Sequence, residues 1–328
     1  MNRPFPGALA RLAPLLLNTA GKQRLSILIY HRVVAAPDPM RPGEPTAGEF
    51  DWQMRLLREH FHPLPLLEAA QRLHSGDLPE RAVCVTFDDG YADNEQYAMP
   101  VLRRHGVPAT VFVSTGFLNG GRMFNDTVIE TVRACADEIL DLRGEGLDAY
   151  AVGTPEQRLR AVERLLADIK RREPGERSAL VERLGGAAPA PLPDDLMMTD
   201  EQVRNLLRNG VDVGAHTVHH PILTSVTDDV AREEIAASKA CLEDLLQGEV
   251  GAFAYPNGKP GEDYAARHRD MVVAAGFRAA VSTHWGVGTR DSDCFQLPRF
   301  TPWDRSPLRF GLRLLYNYRN PDSLPGAA

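Results

Sequence analysis

Short apolar runs alternate with longer segments of mixed polarity along most of this chain. Short apolar runs occupy residues 25–31, 82–87 and 108–113. Polar or turn residues bound them, and this pattern predicts strands. Residues 46–60 and 93–105 have helical length and mixed polarity, and the second of these segments is followed by a glycine, a common helix stop. Because strands that alternate with helices pair in parallel, the pattern predicts an α/β fold with a parallel sheet.

The same alternation returns in the second half of the chain. Further strands are predicted directly before His216 and at residues 252–255 and 279–282, and further helices at 199–209, 228–247 and 261–275. Between the two halves, residues 121–196 carry helix-forming, charge-rich sequence that ends in a proline-rich loop. We interpret this block as a helical insertion, and the sequence leaves open whether it is a lid, a substrate wall or a packing elaboration. The helices predicted in it span residues 126–142, 155–172 and 175–184.

The composition is that of an ordinary globular protein. Of the 328 residues, 25% are charged and 43% are apolar, which is enough for a substantial core in one large domain or two small ones. Lysine and arginine number 37 and aspartate and glutamate 44, and the resulting net charge of −7 argues against a nucleic-acid partner. The four cysteines are far apart and lack Cys-x-x-Cys spacing, so neither a disulfide framework nor a thiolate metal site is predicted.

The two ends of the chain carry weak targeting signals. Residues 8–17 are too short and too interrupted for a transmembrane helix and lack a signal-peptide cleavage site, so we predict a cytoplasmic protein. Residues 308–316 mix arginines with large apolar side chains and could rest on a membrane surface, although packing onto the domain is favoured. The predicted organisation is an N-terminal extension (1–24), one domain (25–305) and a C-terminal tail (306–328).

The candidate chemistry begins with a polar motif that closes the second predicted strand, Thr86-Phe87-Asp88-Asp89-Gly90-Tyr91. Adjacent residues on an extended chain point to opposite sides, so Asp88 and Asp89 can have different roles. One carboxylate can bind a metal while the other faces the water that the metal activates. Taken alone, Asp-Asp-Gly could equally be a turn in which Gly90 takes a positive φ.

A second motif, His216-Thr217-Val218-His219-His220-Pro221, makes a divalent metal site the favoured interpretation. His216 and His220 are four residues apart, so one turn of helix would place both imidazoles on the same face, a usual arrangement for zinc. His219 lies between them and is predicted to point away. Together the two motifs supply a metal-ligand set with one carboxylate left over, which favours a metal-assisted hydrolase.

These two motifs resemble those of a known family, the polysaccharide deacetylases of the NodB-homology class (carbohydrate esterase family 4). The resemblance covers roughly residues 25–300 and implies a distorted (β/α) barrel of the NodB type. It implies that a divalent metal, most simply Zn²⁺, assists the removal of N-acetyl groups from an N-acetylated glycan with release of acetate. The glycan would be an exopolysaccharide or a lipid-linked sugar. The residues that match the family motifs imply Asp88 as the general base and Asp89, His216 and His220 as the metal ligands.

The chain departs from the family pattern at the third motif. Ala254 stands where an arginine usually orients the catalytic aspartate, and this variant is similar to biofilm poly-N-acetylglucosamine deacetylases, which share the Tyr30-His31 pair. Arg299 ends a late predicted strand. Because active sites in parallel barrels collect at the carboxyl ends of the strands, Arg299 could reach Asp88 and replace the missing arginine.

The fifth family motif, which supplies a histidine as general acid, has no match, since no histidine follows His284. His284 is the favoured candidate for the acid and His31 is the other. Tyr91 and Tyr255 are candidates for stacking on the sugar, although each could equally belong to the core. Two alternatives stay open: hydrolysis of another amide or acetyl ester on the same fold, and a catalytically silent metal-binding partner of polysaccharide assembly.

Overall fold

The computed structural model of the protein describes residues 23–319 apart from residues 171, 173 and 189, so most of the predicted N-terminal extension lies outside the described residues. The strands are β1 (Arg24–Tyr30), β2 (His62–Pro63), β3 (Ala82–Phe87), β4 (Ala109–Val113), β5 (Ile139–Asp141), β6 (Ala149–Ala151), β7 (Asp212–Ala215), β8 (Ala252–Ala254), β9 (Ala279–Trp285), β10 (Gly288–Thr289) and β11 (Leu297–Arg299). The α-helices are α1 (Ala47–His60), α2 (Leu66–Ser75), α3 (Met99–His105), α4 (Phe124–Ala134), α5 (Pro155–Lys170), α6 (Pro174–Gly186), α7 (Asp200–Arg208), α8 (Asp228–Leu246), α9 (Ala266–Ala274) and α10 (Pro307–Arg319).

The main sheet curves into a nearly closed barrel. Its parallel strands follow the order β1, β3, β4, β7, β8, β9 and β11, with β2 beside β3 and β10 antiparallel to β1. The residue after β11 closes the ring onto β1: the Ile29 N–H donates to the Phe300 carbonyl (3.0 Å), and the Phe300 N–H donates to the Ile27 carbonyl (2.8 Å). The predicted distorted (β/α) barrel is therefore confirmed.

The barrel has an apolar interior because alternate residues of its strands face inward. In β3, Cys84 joins an inner cluster with Ile27 and Val281, whereas Val83 and Val85 belong to the outer cluster that packs against the helices. All six residues of β3 are buried, as expected for a parallel strand covered on both faces. Helix α2 adds its apolar face to the inner cluster, which leaves the carboxyl ends of the strands for polar side chains.

Helix α1 begins where the sequence predicts it. The Thr46 side chain accepts from the Glu49 N–H (3.2 Å), and the Glu49 carboxylate accepts from the Thr46 N–H (2.8 Å). This reciprocal capping satisfies two of the amides that a helix start leaves without partners, and it fixes the end of the loop that follows β1.

The block at 124–186 differs in part from its prediction. The helix predicted to run to residue 142 ends at Ala134, and residues 139–151 form the two-stranded hairpin of β5 and β6. Gly146, at φ 75°, provides the left-handed turn conformation that this hairpin needs and that a helix cannot contain. Leu140 and Tyr150 of the hairpin join α4, α5 and α6 in a separate apolar cluster, so the block has its own small core.

The C-terminal segment forms helix α10, which packs onto the barrel as favoured from the sequence. Phe310 and Leu314 are fully buried, and Phe310 contacts Trp52 of α1 edge-on with ring centroids 5.5 Å apart. Leu308 and Tyr316 remain exposed on the opposite side, and contact of this helix with a membrane surface stays a prediction. Among the described residues, no helix combines the length and apolar content needed to cross a bilayer.

Candidate metal centre and active site

Polar side chains from separate strands meet at the carboxyl end of the barrel. Asp88 and Asp89 follow β3, His216 follows β7, Arg299 ends β11, and His31 follows β1. A cavity of about 420 Å³ opens there, and the two aspartates, His31, His216 and His220 line it. Parallel barrels collect their active sites at this end, so the topology brings together residues that are up to 268 positions apart.

Asp89, His216 and His220 form one compact cluster. The Asp89 Oδ1 atom lies 3.5 Å from the Nε2 atom of His216 and 3.5 Å from that of His220. The chain turns sharply to place this carboxylate, since Asp89 and Gly90 have φ values of 76° and 90°. A Cβ atom on Gly90 would lie 3.1 Å from a methyl group of Val113, so glycine serves both the turn and the close packing.

The segment from His216 to His220 is not a turn of helix, so the predicted reason for their convergence is wrong. These residues form a bent loop in which Thr217 and His220 take φ values of 62° and 54°. The Thr217 hydroxyl accepts from the His220 N–H (3.1 Å) and donates to the His216 carbonyl (2.6 Å). The left-handed conformations and this side-chain bridge, rather than helical periodicity, turn both imidazoles toward Asp89.

Neighbouring groups hold the orientation of the loop. The His216 Nδ1 atom is 2.7 Å from the Ala254 carbonyl, to which it donates, so the Nε2 atom of that ring is the one left facing the cluster. On the other side, the Glu234 carboxylate accepts from the Val218 and His219 N–H groups, each at 2.8 Å, and contacts the exposed His219 ring. His219 therefore points away from the cluster, as predicted.

The cluster fits a divalent metal of the zinc type. Tetrahedral zinc with bonds of about 2.1 Å has its ligand atoms about 3.4 Å apart, close to the 3.5 Å between Asp89 Oδ1 and each imidazole. All three candidate ligand atoms lie within 4.8 Å of one another. Asp89 Oδ1 is also buried without a hydrogen-bond partner, which is costly for a carboxylate unless a cation is bound there.

The two imidazoles differ in their ionisation. Burial and the neighbouring His216 lower the pKa of His220 to about 4, so this ring is neutral at physiological pH, the form that binds a metal. For His216, burial would lower the pKa, but the charges of Asp88 and Asp89 raise it. The His216 ring therefore keeps a proton up to a higher pH than the His220 ring.

Asp88 pairs with Arg299 in the bidentate geometry that suits a carboxylate. Both distances between the guanidinium nitrogens and the Asp88 oxygens are 2.7 Å, and both side chains are almost fully buried. The Nε atom of Arg299 also donates to the Ser282 carbonyl (2.9 Å), which fixes the orientation of the guanidinium group. Burial alone would raise the pKa of Asp88, but the charges of Arg299, His216 and His31 and the hydrogen bonds from Arg299 together hold that pKa below its ordinary value.

Substitution of Arg299 by Met is expected to destabilise the fold by about 3–5 kcal/mol, because it leaves the buried Asp88 carboxylate without its cation. A depressed pKa contributes stability above the unfolded-state pKa and loses it as the pH falls through the folded value. In the variant the Asp88 pKa rises, so the acid limb of any activity that uses this carboxylate should move to higher pH. Urea unfolding and a pH–rate profile measure the two effects.

Arg299→Lys is the matched control, because it keeps the charge and loses only the bidentate fork. It should be less destabilised than Arg299→Met. The acid limb of its pH–rate profile should lie at a pH closer to that of the unmodified protein. Equal urea midpoints for Arg299→Met and the unmodified protein would contradict the assignment of this ion pair.

The structure places the two candidates for the general acid differently. In β9, Val281 belongs to the inner cluster and Thr283 lies on the cavity wall. His284 follows Thr283 and does not line the cavity. His31 does line it and is exposed there.

The two tyrosines also differ from their predicted role. The Tyr91 ring is 2% exposed, its hydroxyl donates to Asp126 (3.0 Å), and the guanidinium of Arg32 covers one face at 4.5 Å. Tyr255 is fully buried and its ring stacks on Tyr264 with centroids 3.8 Å apart. Neither ring presents a free face to a sugar, so the predicted stacking role is wrong for both.

Several residues at the cavity were missed from the sequence. Thr283 lies two residues before the end of β9, Thr301 lies two residues after the end of β11, and both line the wall. Their position close to a strand end was the available signal. Phe124 and Leu166 come from α4 and α5, so the 121–196 block forms part of the cavity wall. Glu234 supports the His216 loop from the middle of α8, where no motif marks it.

The chain is similar to several known proteins. A profile of the family described as polysaccharide deacetylase matches residues 75–154 and 178–280, together more than half of the chain. The poly-β-1,6-N-acetyl-D-glucosamine N-deacetylase of Staphylococcus epidermidis is 24% identical over 218 residues, which cover 62% of this chain and 71% of that protein. The Bacillus subtilis protein YxkH is 22% identical over 285 residues, 86% of this chain and 73% of that protein.

Solved structures show the same fold. The Streptococcus pyogenes deacetylase PplD, determined in complex with acetate, superposes with a TM-score of 0.59 at 20% identity, covering 90% of this chain and 98% of that one. IcaB from Ammonifex degensii superposes with a TM-score of 0.58 at 19% identity, covering 91% of this chain and 98% of that one. The barrel and its flanking helices are thus shared over nearly the whole length of both proteins.

Proposed function

From the premise that this chain belongs to the polysaccharide deacetylase family, we propose that it removes N-acetyl groups from an N-acetylated glycan in a metal-dependent reaction that releases acetate. The observation that carries the proposal is the placement of the Asp88–Arg299 pair beside the Asp89, His216 and His220 cluster in one cavity. The name of the S. epidermidis relative, a deacetylase of poly-β-1,6-N-acetyl-D-glucosamine, supports an N-acetylglucosamine polymer as the substrate class.

Asp89, His216 and His220 are the residues that would hold the metal, most simply Zn²⁺. When bound there, such an ion supplies Lewis-acid chemistry, because it polarises the acetamide carbonyl and lowers the pKa of a coordinated water. The Ala254 carbonyl keeps the Nε2 atom of His216 directed at the cluster, and Glu234 fixes the loop that carries His220.

Asp88 is placed to accept the proton of the attacking water. Its pKa is held low by Arg299, so the carboxylate is ionised and can act as a base over the whole neutral range. Arg299 uses one side of the carboxylate, which leaves the remaining lone pairs of both oxygens for the water. Arg299 thus takes the orienting role that the third family motif usually gives to an arginine at the position of Ala254.

His31 is placed to protonate the leaving amine. It lines the same cavity as Asp88 from the neighbouring strand β1, whose register places Tyr30 beside Phe87. The silent-partner alternative was based on the missing third-motif arginine and fifth-motif histidine. Arg299 on Asp88 and His31 at the cavity offer a group for each of these two roles and so support an active enzyme.

His31→Gln is expected to lower kcat on N-acetyl substrates by about 10²-fold or more, because general acid catalysis contributes about that much when the leaving group is a poor one. An activated aryl acetate has a leaving group that needs no protonation. The same variant should therefore keep most of its activity on that ester, and steady-state kinetics on the two substrates measure the difference.

His284→Gln is the matched control, since this histidine lies outside the cavity. It should retain activity on both substrates. A His31→Gln protein that loses equal activity on the amide and on the aryl ester would show a structural role for His31 instead of proton donation.

The proposed function is tested by acetate release from N-acetylglucosamine oligomers. Three samples are compared: chelated protein, chelated protein restored with Zn²⁺, and the unmodified protein on xylan acetyl esters and small amides. Release that disappears with the chelator and returns with zinc supports the proposal. Turnover of the esters or small amides alone favours another hydrolase on this fold, and metal uptake without turnover of any substrate favours a silent partner.

A further inference from the structure

A second cavity adjoins the active site through the metal cluster itself. It has a volume of about 320 Å³, room for about one sugar residue, and it shares Met123, Phe124 and His220 with the first cavity. A glycan whose acetamide reaches the Asp89 cluster would therefore extend past His220 into this second space. Most of its remaining walls come from α6 and from the loop that precedes α4.

This second cavity contains two arginines. Arg122 comes from the loop before α4 and Arg177 from α6, and the Arg177 guanidinium stacks over the ring of Phe124 at 5.3 Å. Glu182 and His219 also line the cavity; Glu182 is exposed, and His219 is engaged by Glu234. Two arginines and one glutamate give the lining a positive formal charge, in a chain whose net charge is −7.

Arg122 is fixed in place by neutral groups. Its Nε atom donates to the Thr127 hydroxyl (3.1 Å) and its Nη1 atom to the Pro193 carbonyl (2.7 Å). Among the described residues, these two acceptors carry no charge, and the Arg122 guanidinium is half-buried. A half-buried cation that is held by neutral groups favours an anion in the space beside it.

The amino end of α4 borders the same cavity. Met123 is the N-cap of this 11-residue helix and Phe124 its first residue, and both border the two cavities. No side chain caps this helix start, but the buried Asp126 carboxylate lies in its first turn and already offsets the positive end of the helix dipole. The attraction for an anion in this cavity therefore comes from Arg122 and Arg177.

We propose that this second cavity, defined by Arg122, Arg177, Phe117 and Phe124, binds an anionic substituent of the glycan close to the sugar that loses its acetyl group. The inference rests on the proposed function and specifies its substrate class. A phosphate and a uronic acid carboxylate share the chemistry that these arginines recognise. The substrate is therefore an acidic N-acetylated glycan or a phosphate-linked sugar, and not a neutral polymer alone.

The test compares three sets of N-acetylglucosamine oligomers of equal length: neutral, phosphorylated, and alternating with glucuronic acid. The zinc-loaded full-length protein should show a kcat/KM at least about tenfold higher for one acidic set than for the neutral set, through a lower KM. The acidic set that is preferred identifies phosphate or carboxylate as the anion. Arg177→Gln should reduce this preference to about twofold with kcat little changed, and Arg122→Gln should do the same.

Arg232→Gln is the matched control, since it removes one exposed arginine from α8 at a distance from both cavities. It should keep the full preference. Equal kcat/KM for neutral and acidic oligomers, or a preference that survives in both cavity variants, would overturn the inference while leaving the deacetylase proposal intact.

Binding to Asp88→Asn protein separates failure of the inference from failure of the proposed function, because it needs no turnover. Oligomer dissociation constants in this background should favour an acidic set by about tenfold, and the added Arg177→Gln change should remove that difference. If no oligomer is deacetylated by the unmodified protein but this binding difference is present, the proposed function fails and the anion site stands. Equal dissociation constants for all three sets overturn the site.

Discussion

Asp88→Asn protein is expected to release acetate about 10²–10⁴-fold more slowly than the unmodified protein while binding the same amount of metal. The amide of asparagine has nearly the shape of the carboxylate but cannot accept the proton of the attacking water. Asp89, His216 and His220 are untouched by the change, and the three ligand atoms keep their positions. Single-turnover acetate release and metal analysis of the dialysed protein measure the two quantities.

The variant also leaves Arg299 with a weaker partner, so stability has to be measured beside activity. The buried guanidinium keeps its bonds to the Ser282 carbonyl and the Thr86 hydroxyl, and we expect a loss of about 1–3 kcal/mol in the free energy of unfolding. Asp212→Asn is a matched control at the opposite end of the barrel, where β7 begins. It should keep activity and metal. Residual activity of Asp88→Asn above about a tenth of normal would exclude Asp88 as the base.

The sequence predicted the barrel because the strand signals are local. The run at 82–87 is apolar except for Thr86 and stops at Asp88, and the structure ends β3 at Phe87. The same is true of the strand before His216, since β7 ends at Ala215. Polar motifs that directly follow buried parallel strands lie at the carboxyl end of the sheet. The proximity of Asp89 and His216 was therefore predictable.

Contacts between distant segments were harder to predict. The Arg299–Asp88 pair joins residues 211 positions apart, and the sequence offered only the strand-end position of the arginine as a signal. His31 and His284 could be told apart only by knowing which side chains point into the barrel. A shift of one residue along β9 exchanges its inward-facing and outward-facing positions. The spacing of His216 and His220 did not show that they converge through positive φ values, because the same i,i+4 spacing also fits one turn of helix.

The wrong assignments of Tyr91 and Tyr255 have a common physical cause. An aromatic residue beside a motif can stack on a ligand or on the protein, and the sequence does not show the competing partner. Tyr264 stacks on Tyr255 from nine residues downstream, and Arg32 covers Tyr91 from another strand end. In both cases the partner covers the ring face that a sugar would need. The folded structure shows these partners, and the sequence does not.

His220→Ala is expected to abolish both metal binding and acetate release at micromolar zinc. Removal of one of three protein ligands should lower the affinity for the metal by about 10²-fold or more. Loss of a residue that only supports a ligand already lowers metal affinity by up to about that factor. Metal that binds only the folded state stabilises it, by about 4 kcal/mol at a thousandfold excess over the dissociation constant. The melting temperature of the unmodified protein should therefore rise when zinc is added, and that of His220→Ala should not.

His219→Ala separates the loss of a ligand from damage to the loop. His219 is the adjacent residue, and its ring contacts Glu234 on the exposed side, away from the cluster. The Glu234 carboxylate keeps its two backbone N–H bonds in this variant, so the loop should hold His220 in place. His219→Ala is therefore expected to keep the zinc-induced rise in melting temperature and most of the activity. If the two alanine variants lost the zinc response equally, the ligand assignment would be wrong, because the effect would then come from the loop and not from the Nε2 atom of His220.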